Sequence, residues 1–138
     1  MQGEKRMNQR VLIEKNYLRI PIRKDAVEKN VWLYQELTAV LQFQAGLFVD
    51  YGSGAPDFYA ELPVERWKGS VLTFVHEEDR PVPFLQSDEL LPNTEPFQPW
   101  IHFAPKSGWM NDVCGACWYQ GSYHLYFQHN PVDVNWGN

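Results

Sequence analysis

A chain of 138 residues with 44% apolar content is long enough for one packed domain, or for a small domain joined to part of another. Its net charge of −5 and pI near 5.3 disfavour nucleic acid and anionic membrane surfaces as partners, because an acidic surface repels both. No apolar run approaches the roughly 18 residues that span a bilayer, and the polar stretch Met1 to Arg10 lacks the hydrophobic segment of a signal peptide, so a cytoplasmic location is the default expectation.

Residues 1–13 are charged and polar and read as a flexible arm. Tyr17-Leu18-Arg19-Ile20-Pro21-Ile22-Arg23 alternates apolar and polar residues, the pattern of an edge strand that tolerates Pro21. Val31 to Glu36 and Ala39 to Asp50 follow as further strand candidates. Val27 to Ala45, free of Gly and Pro, is also compatible with a helix, but its β-branched and aromatic content favours strands. Gly52-Ser53-Gly54-Ala55-Pro56 is a turn, and strands at Phe58–Leu62 and Val71–Val75 flank a loop at Arg66-Trp67-Lys68-Gly69. Short strands punctuated in this way predict an antiparallel β-sandwich over residues 14–96.

Pro81, Pro83, Pro92, Pro96 and Pro99 then mark an extended connector, with a domain boundary expected near residue 97. Beyond it, Gly115–Tyr119 and Tyr123–Gln128 surround Gln120-Gly121-Ser122 and predict a β-hairpin. A lone hairpin is marginal, so residues 97–138 read as the beginning of a larger β unit. The aromatic share of 15% serves either a β core or sugar-facing surfaces, since a flat ring packs against the C–H face of a sugar.

The chemistry-bearing residues concentrate in Phe97 to Asn138. Asp112 is a carboxylate among amides and aromatics. Glycosidic cleavage needs two carboxyl groups about the anomeric carbon. Asn111 and Gln128 can donate to and accept from sugar hydroxyls, and the Trp136 indole can wall a sugar subsite. The plainer reading is that Asn111-Asp112 is a turn. Cys114-Gly115-Ala116-Cys117 spells C-x-x-C, but two cysteines are too few for a disulfide framework. A redox pair belongs at a helix N-terminus and a zinc site needs further ligands, so Cys117 is expected to face a core. His124 and His129 are expected to make structural hydrogen bonds.

His102-Phe103-Ala104-Pro105, Gly108-Trp109-Met110-Asn111-Asp112 with Gly115, Tyr123 to Pro131 and Trp136-Gly137-Asn138 recur together in order across about forty residues. This stretch resembles the start of glycoside hydrolase family 32, whose first signature usually reads Trp-Met-Asn-Asp-Pro-Asn-Gly. More weakly, residues 14–96 resemble a small β-sandwich of unknown function that precedes the catalytic domain in some bacterial members, through Tyr17-Leu18, Pro56-Asp57-Phe58, Trp67-Lys68-Gly69 and Gln86-Ser87-Asp88. The resemblance implies an all-β chain: a sandwich, then the first blade of a five-bladed β-propeller that is truncated here. It implies retaining hydrolysis of β-fructosides such as sucrose, inulin or levan, with Asp112 as nucleophile and Asn111, Gln128 and Trp136 lining the fructose subsite. It implies no metal or organic cofactor.

Val113-Cys114 stands where the family has Pro-Asn. Loss of the Pro frees φ, and loss of the Asn removes a hydrogen-bonding amide beside the nucleophile. The family's transition-state-stabilising Asp and its general-acid Glu belong to segments further along than residue 138, so this chain alone is expected to be inactive. The alternative to a fructosidase fragment is a non-catalytic carbohydrate-binding or interaction module in which the sandwich is the functional unit.

Overall fold

The computed structural model describes residues 6–52, 54–92, 102–105 and 108–132. Alternation of apolar and polar residues dictates most of what is seen there. Strands β1 (Met7–Leu12), β3 (Lys29–Gln35), β4 (Thr38–Ala45) and β6 (Val71–His76) form one antiparallel sheet in the order β1-β6-β3-β4. Strands β2 (Tyr17–Ile22), β5 (Phe58–Pro63) and β7 (Leu85–Ser87) form a second, in the order β5-β2-β7. Strands β8 (Trp109–Tyr119) and β9 (Ser122–Asn130) form a hairpin. A 3-10 turn at Glu65–Trp67 buries Trp67, and the described residues contain no α-helix.

Period-two burial assembles the core. Leu18, Ile20 and Ile22 of β2, Ala60 and Leu62 of β5, Val31 and Leu33 of β3, and Leu72 and Phe74 of β6 are all buried and belong to one apolar cluster shared by the two sheets. The span Val27 to Ala45 is therefore a strand pair. Glu36, in the left-handed region at φ 54°, begins the turn between β3 and β4, and Leu37 at its tip is fully exposed.

Three expectations are corrected. Residues 7–12, assigned to the flexible arm, form β1, paired with β6 from Met7↔His76 to Leu12↔Val71. A polar side chain holds that strand in place. Gln9 donates to the Val82 carbonyl at 2.8 Å and accepts from the Val82 N–H at 2.9 Å. The span Tyr17–Ile22 is the central strand of its sheet, not an edge. Pro21 is tolerated because β7 pairs with β2 only from Tyr17 to Arg19, so the proline lies past the end of that ladder. The proline-rich connector contains β7, which two flanking networks secure. Gln86 bridges to the backbone of Leu12, Glu14 and Lys15, and the buried Glu61 carboxylate holds both Arg19 Nε at 3.1 Å and the Leu91 N–H at 2.8 Å.

His76 ends β6 wholly buried. Its Nδ1 faces the Glu78 N–H at 3.3 Å and its Nε2 faces Gln9 Oε1 at 3.4 Å, which fits a neutral ring protonated on Nε2. Burial pushes its pKa below the usual 6.5, against the smaller upward pull of Glu78 and with the downward push of Lys29. A histidine depressed in the folded state binds fewer protons than in the unfolded chain, so its stabilising contribution is complete above about pH 6.5 and falls as pH drops below it. Thermal melts from pH 7.5 down to pH 5 are expected to show a falling Tm, with a shallower fall in His76→Gln. Equal slopes in the two proteins would exclude His76 as the source.

Candidate active site

The hairpin that carries Asp112 is closed by Gln120 and Gly121, at φ 48° and 81°. Two successive positive φ values make the two-residue turn whose twist matches antiparallel strands, so Ser122 already belongs to β9. The hairpin extends further than the sequence indicated, back to Trp109 and forward to Asn130.

Asp112 lies in an irregular stretch of β8. Between Met110↔His129 and Gly115↔Tyr126, β8 advances five positions while β9 advances three. Two extra residues are thus accommodated around Asn111 to Cys114, on either side of the pair Val113↔Phe127. Bulges of this kind bend a strand and re-aim its side chains, and they concentrate beside active sites. Asn111-Asp112 is therefore a bulged strand segment and not a simple turn. Asn111, Asp112 and Val113 are all exposed.

The bulge brings two of the expected subsite residues together. Asn111 Nδ2 donates to Gln128 Oε1 across the strands at 3.3 Å. The two amides share one hydrogen bond and present, beyond it, an amide oxygen and an NH2 group, the mixed functionality that polyol hydroxyls require. Trp136, the fourth expected site residue, lies outside the described residues. Cys114 Sγ lies 3.7 Å from the Asp112 carbonyl oxygen, a weak thiol contact at the position where the family has an Asn.

The base of the hairpin is fixed to the sandwich. Val132 is buried in the same apolar cluster as the two sheets, and Asn130 Oδ1 beside it accepts from the Val132 N–H at 3.2 Å. His129 and Pro131 face Tyr17, Glu61 and Pro63 across a hollow of about 320 Å3. Gly108, just before β8, sits against this anchor at φ 77°. A Cβ there would run into the Asn130 carbonyl oxygen and come within 2.8 Å of Pro131 Cα, so the close backbone approach requires glycine.

Cys114 and Cys117 are both free and exposed, which corrects the expected core placement of Cys117. Apart from Gly115, β8 is largely exposed near the cysteines, and Trp118 and Tyr119 are about 60% exposed. His124 Nε2 meets the Tyr119 carbonyl at 3.2 Å, a structural contact at the hairpin tip. Among the described residues no group of three or more His, Cys, Asp or Glu side chains is placed to hold a metal ion. Neither the bulge nor the close backbone approach at Gly108 is legible in the residues alone. The Gly108-Trp109 pair preceding the Asn-Asp step was its only visible trace.

Comparison with known proteins places this segment. Residues 102–138 match the glycosyl hydrolases family 32 N-terminal domain. The chain is 46% identical over 44 residues to an extracellular exo-inulinase of Aspergillus niger, covering 32% of this chain and 8% of that protein. It is 44% identical over 43 residues to a levanase of Bacillus subtilis, covering 31% of this chain and 6% of the relative. It is 54% identical over 43 residues to invertase 1 of Saccharomyces cerevisiae, covering 29% and 8%. The chain thus spans less than a tenth of the length of these relatives. No solved structure matches it. Residues 102–138 are thus similar to the N-terminal domain of the family 32 glycosyl hydrolases.

Proposed function

We propose that residues 97–138 supply the nucleophile-bearing first strands of a β-propeller that hydrolyses β-fructosidic bonds with retention, and that residues 14–96 form an accessory domain. The observation that carries this reading is the bulge that holds Asp112 beside the Asn111–Gln128 amide pair, within the stretch that matches family 32. In this reading the Asp112 carboxylate attacks the anomeric carbon of the fructosyl unit. The leaving oxygen departs with a proton from a carboxylic acid, and water then hydrolyses the fructosyl ester. Asn111 and Gln128, with Trp136, would hold the fructose. The substrates are fructose-containing oligo- or polysaccharides.

Residues 1–138 provide a carboxylate at the family's nucleophile position but no segment that matches its acid, so the chain by itself is expected to release no fructose. The proposal is tested in a chimera in which residues 102–138 replace the corresponding stretch of the Bacillus levanase. Fructose release from levan, inulin or sucrose that depends on Asp112 supports it. Release that is indifferent to Asp112 overturns it. In the same chimera, Val113→Pro with Cys114→Asn is expected to raise kcat severalfold, because a fixed φ and a restored amide stiffen the bulge that aims Asp112. An unchanged or lower kcat would mean that Val113 and Cys114 serve the bulge as well as the family's residues do.

A further inference from the structure

Far along the chain from the hairpin, the sandwich carries a hollow of about 460 Å3, lined by Arg23, Val27, Lys29, Leu47, Tyr51 and Glu78 among others. Its size lies within the usual range for small-molecule clefts. Its wall is rigid. The turn after β2 lies directly on Gly46, where a Cβ would come within 2.6 Å of the Arg23 carbonyl oxygen and 3.0 Å of that of Ala26. The Arg23 N–H donates to the Gly46 carbonyl at 2.8 Å, and the Ala26 N–H donates to the Arg23 carbonyl at 3.1 Å.

Tyr51 stands in this hollow 59% exposed, with partners at its hydroxyl and its ring. Its hydroxyl donates to Asp79 Oδ1 at 2.6 Å, and the Arg80 guanidinium lies 4.7 Å from its ring centroid. A ring whose orientation is favoured by such partners loses less entropy on packing against a ligand than a free one. Around it stand a guanidinium, an ammonium and a carboxylate, the donors and acceptors that adjacent hydroxyls take up. Lys29 Nζ and Glu78 Oε2 pair at 3.0 Å, and the Arg23 guanidinium donates to the Ala55 carbonyl at 3.0 Å while lying over the Phe48 ring. The basic groups are thus engaged, and the hollow makes little demand for a charged ligand.

We propose that this hollow binds a neutral saccharide, with one sugar face on the Tyr51 ring and its hydroxyls on Arg23, Lys29 and Glu78. Resting on the function proposed above, the saccharide is a unit of a fructan chain, so the sandwich holds the polymer whose bonds the propeller would cut. No bond is made or broken here.

The test is an amide-shift titration of the 138-residue chain with levan-type and inulin-type fructo-oligosaccharides, and with a cello-oligosaccharide of equal length. Shifts are expected at Ala26, Val27, Lys29, Leu47, Tyr51 and Glu78 with the fructo-oligosaccharides. Tyr51→Ala is expected to weaken binding about tenfold, while Tyr51→Phe, which keeps the ring, weakens it much less. Val27→Arg, at a rim residue 77% exposed, is a second variant that obstructs the hollow without touching the core. An unchanged spread of amide signals checks that each variant is folded. No shift at these residues with any sugar, or shifts that survive both Tyr51→Ala and Val27→Arg, would overturn the site. Shifts with the cello-oligosaccharide alone would keep the hollow as a saccharide site and overturn its fructan assignment, leaving the hydrolysis assay on Asp112 to decide the catalytic reading separately.

Discussion

Asp112→Asn in the levanase chimera is expected to lower fructose release by roughly 10⁴-fold or more, the scale on which loss of a covalent nucleophile acts in other hydrolases. The substitution keeps the shape of the side chain and removes the ionised oxygen that must attack. Asp112 is exposed in an irregular strand segment, and its side chain takes no part in the apolar core. The chimera's Tm is therefore expected to stay within about 1 °C of the parent, since surface substitutions of this kind usually change stability by less than about 0.5 kcal/mol. A large loss of turnover with an unchanged Tm separates a chemical role from a structural one. Near-normal turnover would remove Asp112 from the mechanism, and a collapsed Tm would make it a folding residue.

Gly108→Ala is expected to release the base of the hairpin from the sandwich. A non-glycine residue at φ 77° costs about 1–2 kcal/mol, and the methyl group must also displace the Asn130–Pro131 backbone. Together these put the local cost near 3 kcal/mol, roughly a hundredfold in the equilibrium for opening that segment. The displacement pulls on Val132, which is buried with the two sheets. Hydrogen exchange in the 138-residue chain should show protection lost by about that factor at Trp109, Met110, His129 and Asn130. Protection in β2, β3 and β6 should persist. Unchanged exchange at the hairpin base would mean that the close approach at Gly108 does not hold the hairpin in place.

The parts of this fold that rest on hydrophobic alternation are legible in the residues alone. Leu18, Ile20 and Ile22 repeat with period two, as do Leu72 and Phe74, and each set faces the core. Gln120-Gly121 marks its own turn because glycine readily adopts the positive φ that the turn needs. Strand β1 is not legible because its place is fixed by the Gln9 amide and the β6 ladder, and neither leaves an apolar pattern in Met7–Leu12. The β2 span read as an edge because Pro21 obeys an edge rule, and it does so only where β7 has already ended. At the site, Asn111, Asp112 and Gln128 were identified by likeness to a family. Their cross-strand proximity depends on two extra residues in β8, a shift of register that no local propensity encodes. A small thiol usually behaves as a buried hydrophobe, which makes a core position the natural expectation for Cys117, whereas the hairpin's cysteines face solvent.

The proposed role of Asp112 is to form a covalent bond to fructose, and that bond can be trapped. The chimera carrying residues 102–138 is incubated with sucrose or levan, quenched in acid during turnover, digested and analysed by peptide mass spectrometry. A fructosyl adduct is expected on the peptide containing Trp109-Met110-Asn111-Asp112, localised to Asp112 and absent from Asp112→Asn. An adduct on another carboxylate, or turnover that inverts the anomeric configuration with no adduct at all, would exclude Asp112 as the nucleophile.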